Sequence, residues 1–319
     1  MDVLYLVVQQ TMFFSIPLLI VALGGMFTER GGVTNIALDG TMIMGAFASI
    51  YFINQMQDSM SGQVLLILAI LVAVVVGAVF SLLLAYSAVN MKADQIIGGT
   101  ALNMFAPAFA IYVARMIQAD GVQQITFLNT FRIASVPVLG DIPVIGSLFF
   151  KNAYITTYIG FIILILSVIV LYRTRFGLRL RACGEHPHAA DSVGINVYRM
   201  RYAGVMISGG LAGLGGLVFV IPTSTNFNAT VAGYGFLALA VMIFGQWKPT
   251  RILFAAFFFG LMKTIASAYS VIPVLATLNI SSDIYKMVPF IATLIVLAFS
   301  SKSSQAPRAV AVPYDKGSR

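Results

Sequence analysis

Side chains able to do chemistry are sparse in this chain. The densest run is Arg173 to Arg201, RTRFGLRLRACGEHPHAADSVGINVYRMR, which lies between two apolar stretches and is amphipathic rather than apolar. Pro187 suits the first turn of a short helix, His188-Ala189-Ala190-Asp191 continues it, and Gly194 can close it. Such a helix can dock into a partner protein. The arginines at 173, 175, 179 and 181 also fit an ordinary basic loop, but the G-E-x-P-x-A-A-D-x-x-G-I run does not need that explanation. His186 and His188 stand two apart in this loop and make no metal-ligand pattern. Cys183 is the single cysteine, so it forms no intrachain disulfide. No G-x-x-x-x-G-K-[ST] loop is present, so the chain cannot bind and hydrolyse ATP by that route. Three charges fall inside apolar stretches: Asp39, Arg115 and Lys263. A charge at the centre of a spanning helix costs roughly 2.5–3.5 kcal/mol and faces the bundle interior or a wet path. Arg115 is near a helix end, where it can snorkel. Asp39 and Lys263 are expected to form a structural pair or to be capped separately.

The elements that must position these residues follow from composition. Of 319 residues, 59% are hydrophobic and 9% charged, against about 25% charged in soluble proteins. Mean hydropathy is +0.93. A soluble enzyme and a disordered chain are both excluded. Apolar stretches of about 20 residues mark spanning helices. Nine are predicted, within a range of eight to ten: 3–27, 33–53, 64–89, 99–117, 153–172, 202–222, 232–246, 252–270 and 287–300. The chain begins without a basic n-region, so its first stretch is expected to stay as a membrane helix rather than leave as a signal. Alternate loops hold 14 and 3 of the Lys and Arg residues. The richer set marks the cytoplasm, which puts the N-terminus outside and the C-terminus inside. The net charge of +8 is explained by this bias, without nucleic acid. The two halves run in opposite senses, as in an inverted repeat. Gly209 and Gly213, with Ala212 and Gly216, give small-residue spacing for helix packing. Trp247 is expected as an interfacial anchor.

RACGEHPHAADSVGIN resembles the coupling loop of the ABC-transporter permeases that serve branched-chain amino acids, ribose-like sugars and nucleosides. Four more stretches agree in the family's order: GGMFTERGGVTNIALDGTMIMGAFAS, GGTALNMFAP, SGGLAGLGGLVFV and GFLALAVMIFGQWKPTR. Together they run from Gly24 to Arg251. TERGGVTNIALDG and FGQWKPTR look closest to the nucleoside-uptake branch. Asp39 stands where the family usually has Glu, and His186 where Asn is common.

The resemblance implies an all-α polytopic permease. It implies a single transmembrane domain over residues 1–319, with a cytoplasmic coupling loop at about 173–202 and a short polar tail at 301–319. Gly184, Glu185, Pro187, Ala189, Ala190, Asp191, Gly194 and Ile195 would contact an ABC ATPase subunit. ATP and Mg would sit on that partner, and this chain would bind no cofactor. Further partners would be a paralogous permease or a second copy, an extracytoplasmic binding protein, and membrane lipid. The location would be the cell membrane of a prokaryote. Candidate translocation-path residues are Asn35, Asp39, Asn103, Phe105, Asn226, Asn228, Tyr234 and Phe236. Amides donate to and accept from a neutral, hydroxyl-rich solute, and aromatic rings can stack a base. Interhelical hydrogen bonds and ordinary packing explain the same residues. A simple-sugar or branched-chain amino-acid permease is the alternative within the family. A stand-alone ion-coupled carrier would need in-membrane acids, and only Asp39 offers one. A membrane enzyme ranks last, since no paired carboxylates or nucleophile constellation occur.

Overall fold

A computed structural model describes residues 2–60, 62–118, 121–136, 140, 142, 146–269, 281–300 and 306–317. The apolar stretches fold as helices: α1 (Asp2–Arg30), α2 (Leu38–Met56), α3 (Gly62–Ala85, continued by a π-helical turn Tyr86–Asn90), α4 (Gln95–Ile117) and α5 (Ile155–Arg173). The loop run gives α6 (Arg175–Glu185) and α7 (Pro187–Ser192); then come α8 (Val197–Thr223), α9 (Tyr234–Phe244), α10 (Pro249–Ala268) and α11 (Ser282–Ser300). Among the described residues, six helices are long and apolar enough to cross a membrane: α1, α3 with its π turn, α4, α5, α8 and α10.

α8 is the central helix and packs against α1, α2 and α3. Its glycines let backbones touch: a Cβ on Gly213 would lie 2.3 Å from the Ala73 carbonyl oxygen, and one on Gly216 would lie 2.0 Å from that of Met42. This is the close packing expected of small residues at helical spacing. The main apolar core joins α1, α2, α3 and α8 and takes in Phe131 and Phe227 from the connecting loops.

Two predicted stretches are shortened by breaks. Residues 31–37 are not helical, so α2 starts at Leu38 rather than Val33. Side chains replace the missing helical bonds there. Thr34 N–H donates to Gln95 Oε1 at 2.7 Å. Asn103 Oδ1 accepts from Gly40 N–H at 2.7 Å, and its Nδ2 donates to the Ile36 carbonyl at 2.8 Å. Inside a bilayer only such internal partners can satisfy irregular backbone. The second break precedes α9, which has 11 residues.

Among the described residues, four short strands depart from the all-helical expectation. β1 (Ile125–Thr126) pairs antiparallel with β4 (Asn226–Phe227), and β2 (Ile133–Ser135) with β3 (Lys151–Ala153). Strands of two or three residues are too short to show a period-two pattern.

Candidate functional site

The two breaks meet. Asp39, in the first turn of α2, accepts through Oδ1 from Gly235 N–H at 2.9 Å, at the start of α9. A Cβ on Gly235 would fall 2.3 Å from the Asp39 Cα, so only glycine allows this approach. Asp39 therefore caps the N-terminus of α9, as Asn103 caps that of α2. The expected Asp39–Lys263 pair is not formed among the described residues. Asp39 turns to a backbone N–H, while Lys263 Nζ lies 5.9 Å from the centre of the Tyr234 ring.

Lys263 faces a cavity of about 610 Å³ with Tyr234, Phe236, Leu237, Pro289 and Thr293. The Tyr234 ring packs at 4.1 Å on Phe219, and its buried hydroxyl has no hydrogen-bond partner among the described residues. A second cavity of about 160 Å³ is lined by Asn226 and Asn228, and both cavities touch Ala232. Ala229 and Ala232 hold φ of 52°, a left-handed conformation that is rare for a residue with a side chain. Such strained backbone clusters at ligand-handling segments. Of the predicted path residues, Tyr234 and Phe236 line the first cavity and Asn226 and Asn228 the second. The other four line neither cavity. Asn35 is buried and donates to Ser208 Oγ at 2.9 Å. Asn103 and Asp39 hold the breaks. Phe105 is exposed on α4 and stacks with Phe80 and Phe109 at 6.3 and 5.4 Å.

At one end of the bundle the loop run forms a built unit. Pro187 opens α7, and Gly194, at φ 83°, closes it with its N–H on the Asp191 carbonyl at 2.9 Å. Gly184 is buried where α6 meets α1: a Cβ there would lie 2.3 Å from the Arg30 carbonyl oxygen. Ala190 is also buried, in a small core with Cys183, Val197 and Tyr314. The face that α7 leaves open consists of His188, Ala189 and Ser192, followed by Val193, which is 75% exposed, and Gly194. Glu185 makes a 3.8 Å ion pair with Arg30. Burial holds the Cys183 thiol up at about 11.

Sequence reasoning missed the strap that completes this unit. Residues 306–317 return across α6 and α7. Ala309 N–H donates to the Gly184 carbonyl at 2.8 Å, and Arg201 Nη1 donates to that of Val312 at 3.1 Å. Tyr314 lies under His188 at 5.1 Å and Tyr198 at 5.5 Å. Lys92 and Asp315 pair at 2.7 Å, and Lys316 and Asp191 at 3.8 Å. Arg201, read as one more loop cation, is 1% exposed. Trp247 is likewise not an interfacial anchor. Left-handed backbone at Gln246 and Trp247 folds the indole inward, where Nε1 donates to Glu29 Oε2 at 2.5 Å.

Residues 7–297 match the family described as branched-chain amino acid transport system, permease component. The chain is 40% identical to the nucleoside ABC transporter permease protein NupC of Lactococcus lactis, over 99% of this chain and 98% of that one. It is 40% identical to the guanosine ABC transporter permease protein NupQ of Bacillus subtilis, over 100% and 99%. A putative glucose ABC transporter permease protein of Haloferax volcanii, TsgC13, is 27% identical over 93% and 91%. No solved structure matches the chain. A family match across nearly the whole length, relatives aligned end to end and a bundle of long apolar helices agree: the chain is a multi-pass membrane protein and belongs to the branched-chain amino acid transport system permease family.

Proposed function

We propose that this protein is the membrane-spanning subunit of an ABC importer for nucleosides. The observation that carries the substrate is the 40% identity, over essentially full length, to permeases named for nucleosides and guanosine. The geometry supports it. The cavity beside Lys263 has apolar and aromatic walls suited to a base, and its volume lies in the usual range for small-molecule sites. Among the described residues a single cation lines it, not the cluster that a nucleotide's phosphates would demand.

Energy comes from separate ATPase subunits that bind ATP and Mg. They dock on the open face of α7, where Ala189, Ser192 and Val193 are exposed. A companion permease completes the path. A second nucleoside permease protein of Lactococcus lactis, NupB, is 25% identical to this chain, which favours a paralogue over a second copy. An external binding protein delivers the substrate at the pole that carries Arg132 and Lys151. α2, α9 and α11 bring the crossing segments to nine, in two halves of opposite sense, in the cell membrane of a prokaryote. A stand-alone carrier is disfavoured because Asp39 is engaged with α9.

Competition uptake tests the substrate. In cells that lack their own nucleoside uptake and express the complete importer, unlabelled nucleosides should displace labelled guanosine or uridine. Excess ribose, glucose or leucine should not. Displacement by glucose or ribose without a nucleoside effect would move the protein to the sugar branch, to which its 27% relative belongs.

A further inference from the structure

Lys263 occupies α10 at a point where none of the described residues neutralises it. Among the described residues no carboxylate lies within ion-pair distance; its one contact of that kind is the face of the Tyr234 ring, 5.9 Å away. An isolated ammonium inside a membrane bundle costs several kcal/mol unless it meets water or a ligand. It lines the cavity of about 610 Å³ together with Phe236, Leu237, Pro289 and Thr293. The Tyr234 hydroxyl, in a residue 1% exposed, also lacks a partner among the described residues. Two polar groups without partners beside apolar walls are the pattern of a site that fixes a ligand's orientation.

The chemistry of the cation then selects among ligands. An ammonium has three donors and no acceptor. It can bond to a carbonyl oxygen or a ring nitrogen, and it opposes an exocyclic amino group, which is also a donor. Guanine and hypoxanthine present a 6-oxo group and N7, both acceptors, and uracil presents O4. Adenine presents a 6-amino donor at the same place, and cytosine a 4-amino donor. A hydroxyl such as that of Tyr234 both donates and accepts, so it adds a bond without deciding between the two classes.

The geometry points to Lys263 as the specificity-determining residue of the translocation path, favouring nucleosides whose base carries a carbonyl oxygen at C6 of a purine or C4 of a pyrimidine over their amino counterparts. This rests on the nucleoside reading given above and adds a preference within that class.

The test uses the complete importer in uptake-deficient cells, with rates normalised to the amount of permease in the membrane. Initial uptake is compared for inosine against adenosine and for uridine against cytidine, pairs that differ in oxo against amino. A site built on hydrogen bonds discriminates strongly, so Lys263→Met should lower the inosine-to-adenosine and uridine-to-cytidine rate ratios by about tenfold. Lys263→Arg, which keeps the donors, should retain most of the parental preference. Lys263→Gln serves if the methionine variant fails to insert, and should also lower both ratios. Equal losses for oxo and amino substrates, or ratios that do not move, would overturn the assignment and leave Lys263 with a structural role. A parent that imports none of the four nucleosides would instead remove the nucleoside reading itself, and this preference with it.

Discussion

A carboxylate at the start of a helix accepts from a backbone N–H that has no helical partner and meets the positive end of the helix dipole. Asp39 does this for α9 from another helix, 196 positions away in the chain. Asp39→Asn keeps an acceptor and loses only the charge, so it should cost about 0.3–1 kcal/mol of stability. Asp39→Leu removes the cap and should cost about 1–2 kcal/mol. Since Lys263 is not the partner, Asp39→Leu and Lys263→Met should add within about 0.5 kcal/mol in thermal unfolding of the purified protein. A coupling energy well above that would restore the ion pair. The sequence shows that both charges must be accommodated inside the bundle, because burying either alone is costly. It cannot show by what. The partner of Asp39 is a backbone group exposed by a break, and no side-chain pattern announces it. The same applies to Trp247, whose inward turn depends on left-handed backbone at two non-glycine positions.

At the scale of elements, α7 was legible because Pro187 and Gly194 bracket it with opposite conformational demands. The strap over 306–317 was not, since it has neither helix nor strand and is held by scattered contacts. Its anchor is Tyr314, packed with Cys183, Ala190 and Val197. That makes the single cysteine a native probe. Buried, and with its thiol held up at about 11, Cys183 should react slowly with maleimide at pH 8, because the thiolate is the nucleophile. Tyr314→Ala opens the small core, so labelling should accelerate by at least about tenfold while uptake falls. Val193→Asp alters only the exposed face; it should cut uptake and leave Cys183 slow. If labelling is unchanged in Tyr314→Ala, the strap does not seal this core. The strap also has a pH signature. The Lys92 side chain, with help from the Gly317 N–H, holds the Asp315 carboxyl below the usual aspartate range. A lowered native value stabilises the folded state above the ordinary aspartate value, near 3.9, and that contribution is lost as pH falls through the lowered value. Hydrogen-exchange protection of the strap should therefore be level between about pH 6 and 8 and decline below about pH 4. It should weaken with salt, because the pair is exposed.

At the scale of the whole molecule, hydropathy placed the helices, while loop pairings and breaks stayed hidden. The basic residues assigned to the cytoplasm gather at one pole: Arg30 contacts Glu185 and the Trp247 carbonyl, Lys92 pairs with Asp315, Lys316 with Asp191, and Arg201 holds the strap. Two of the sparse set lie elsewhere, with Arg132 donating to the Asn152 carbonyl beside Lys151, on the loops that carry β2 and β3. Moving the first pole across the membrane would translocate more than ten cations, which the charge bias of membrane insertion opposes. The expected outcome is therefore asymmetric labelling in intact cells. In a Cys183→Ala background, Lys151→Cys should react with an impermeant maleimide added outside. Val193→Cys, 75% exposed on the opposite pole, should react only after the membrane is permeabilised. The reverse pattern would invert the molecule. It would put α7 on the binding-protein side and deny an ATPase its contact, so the import reading and the coupling assignment would fall together.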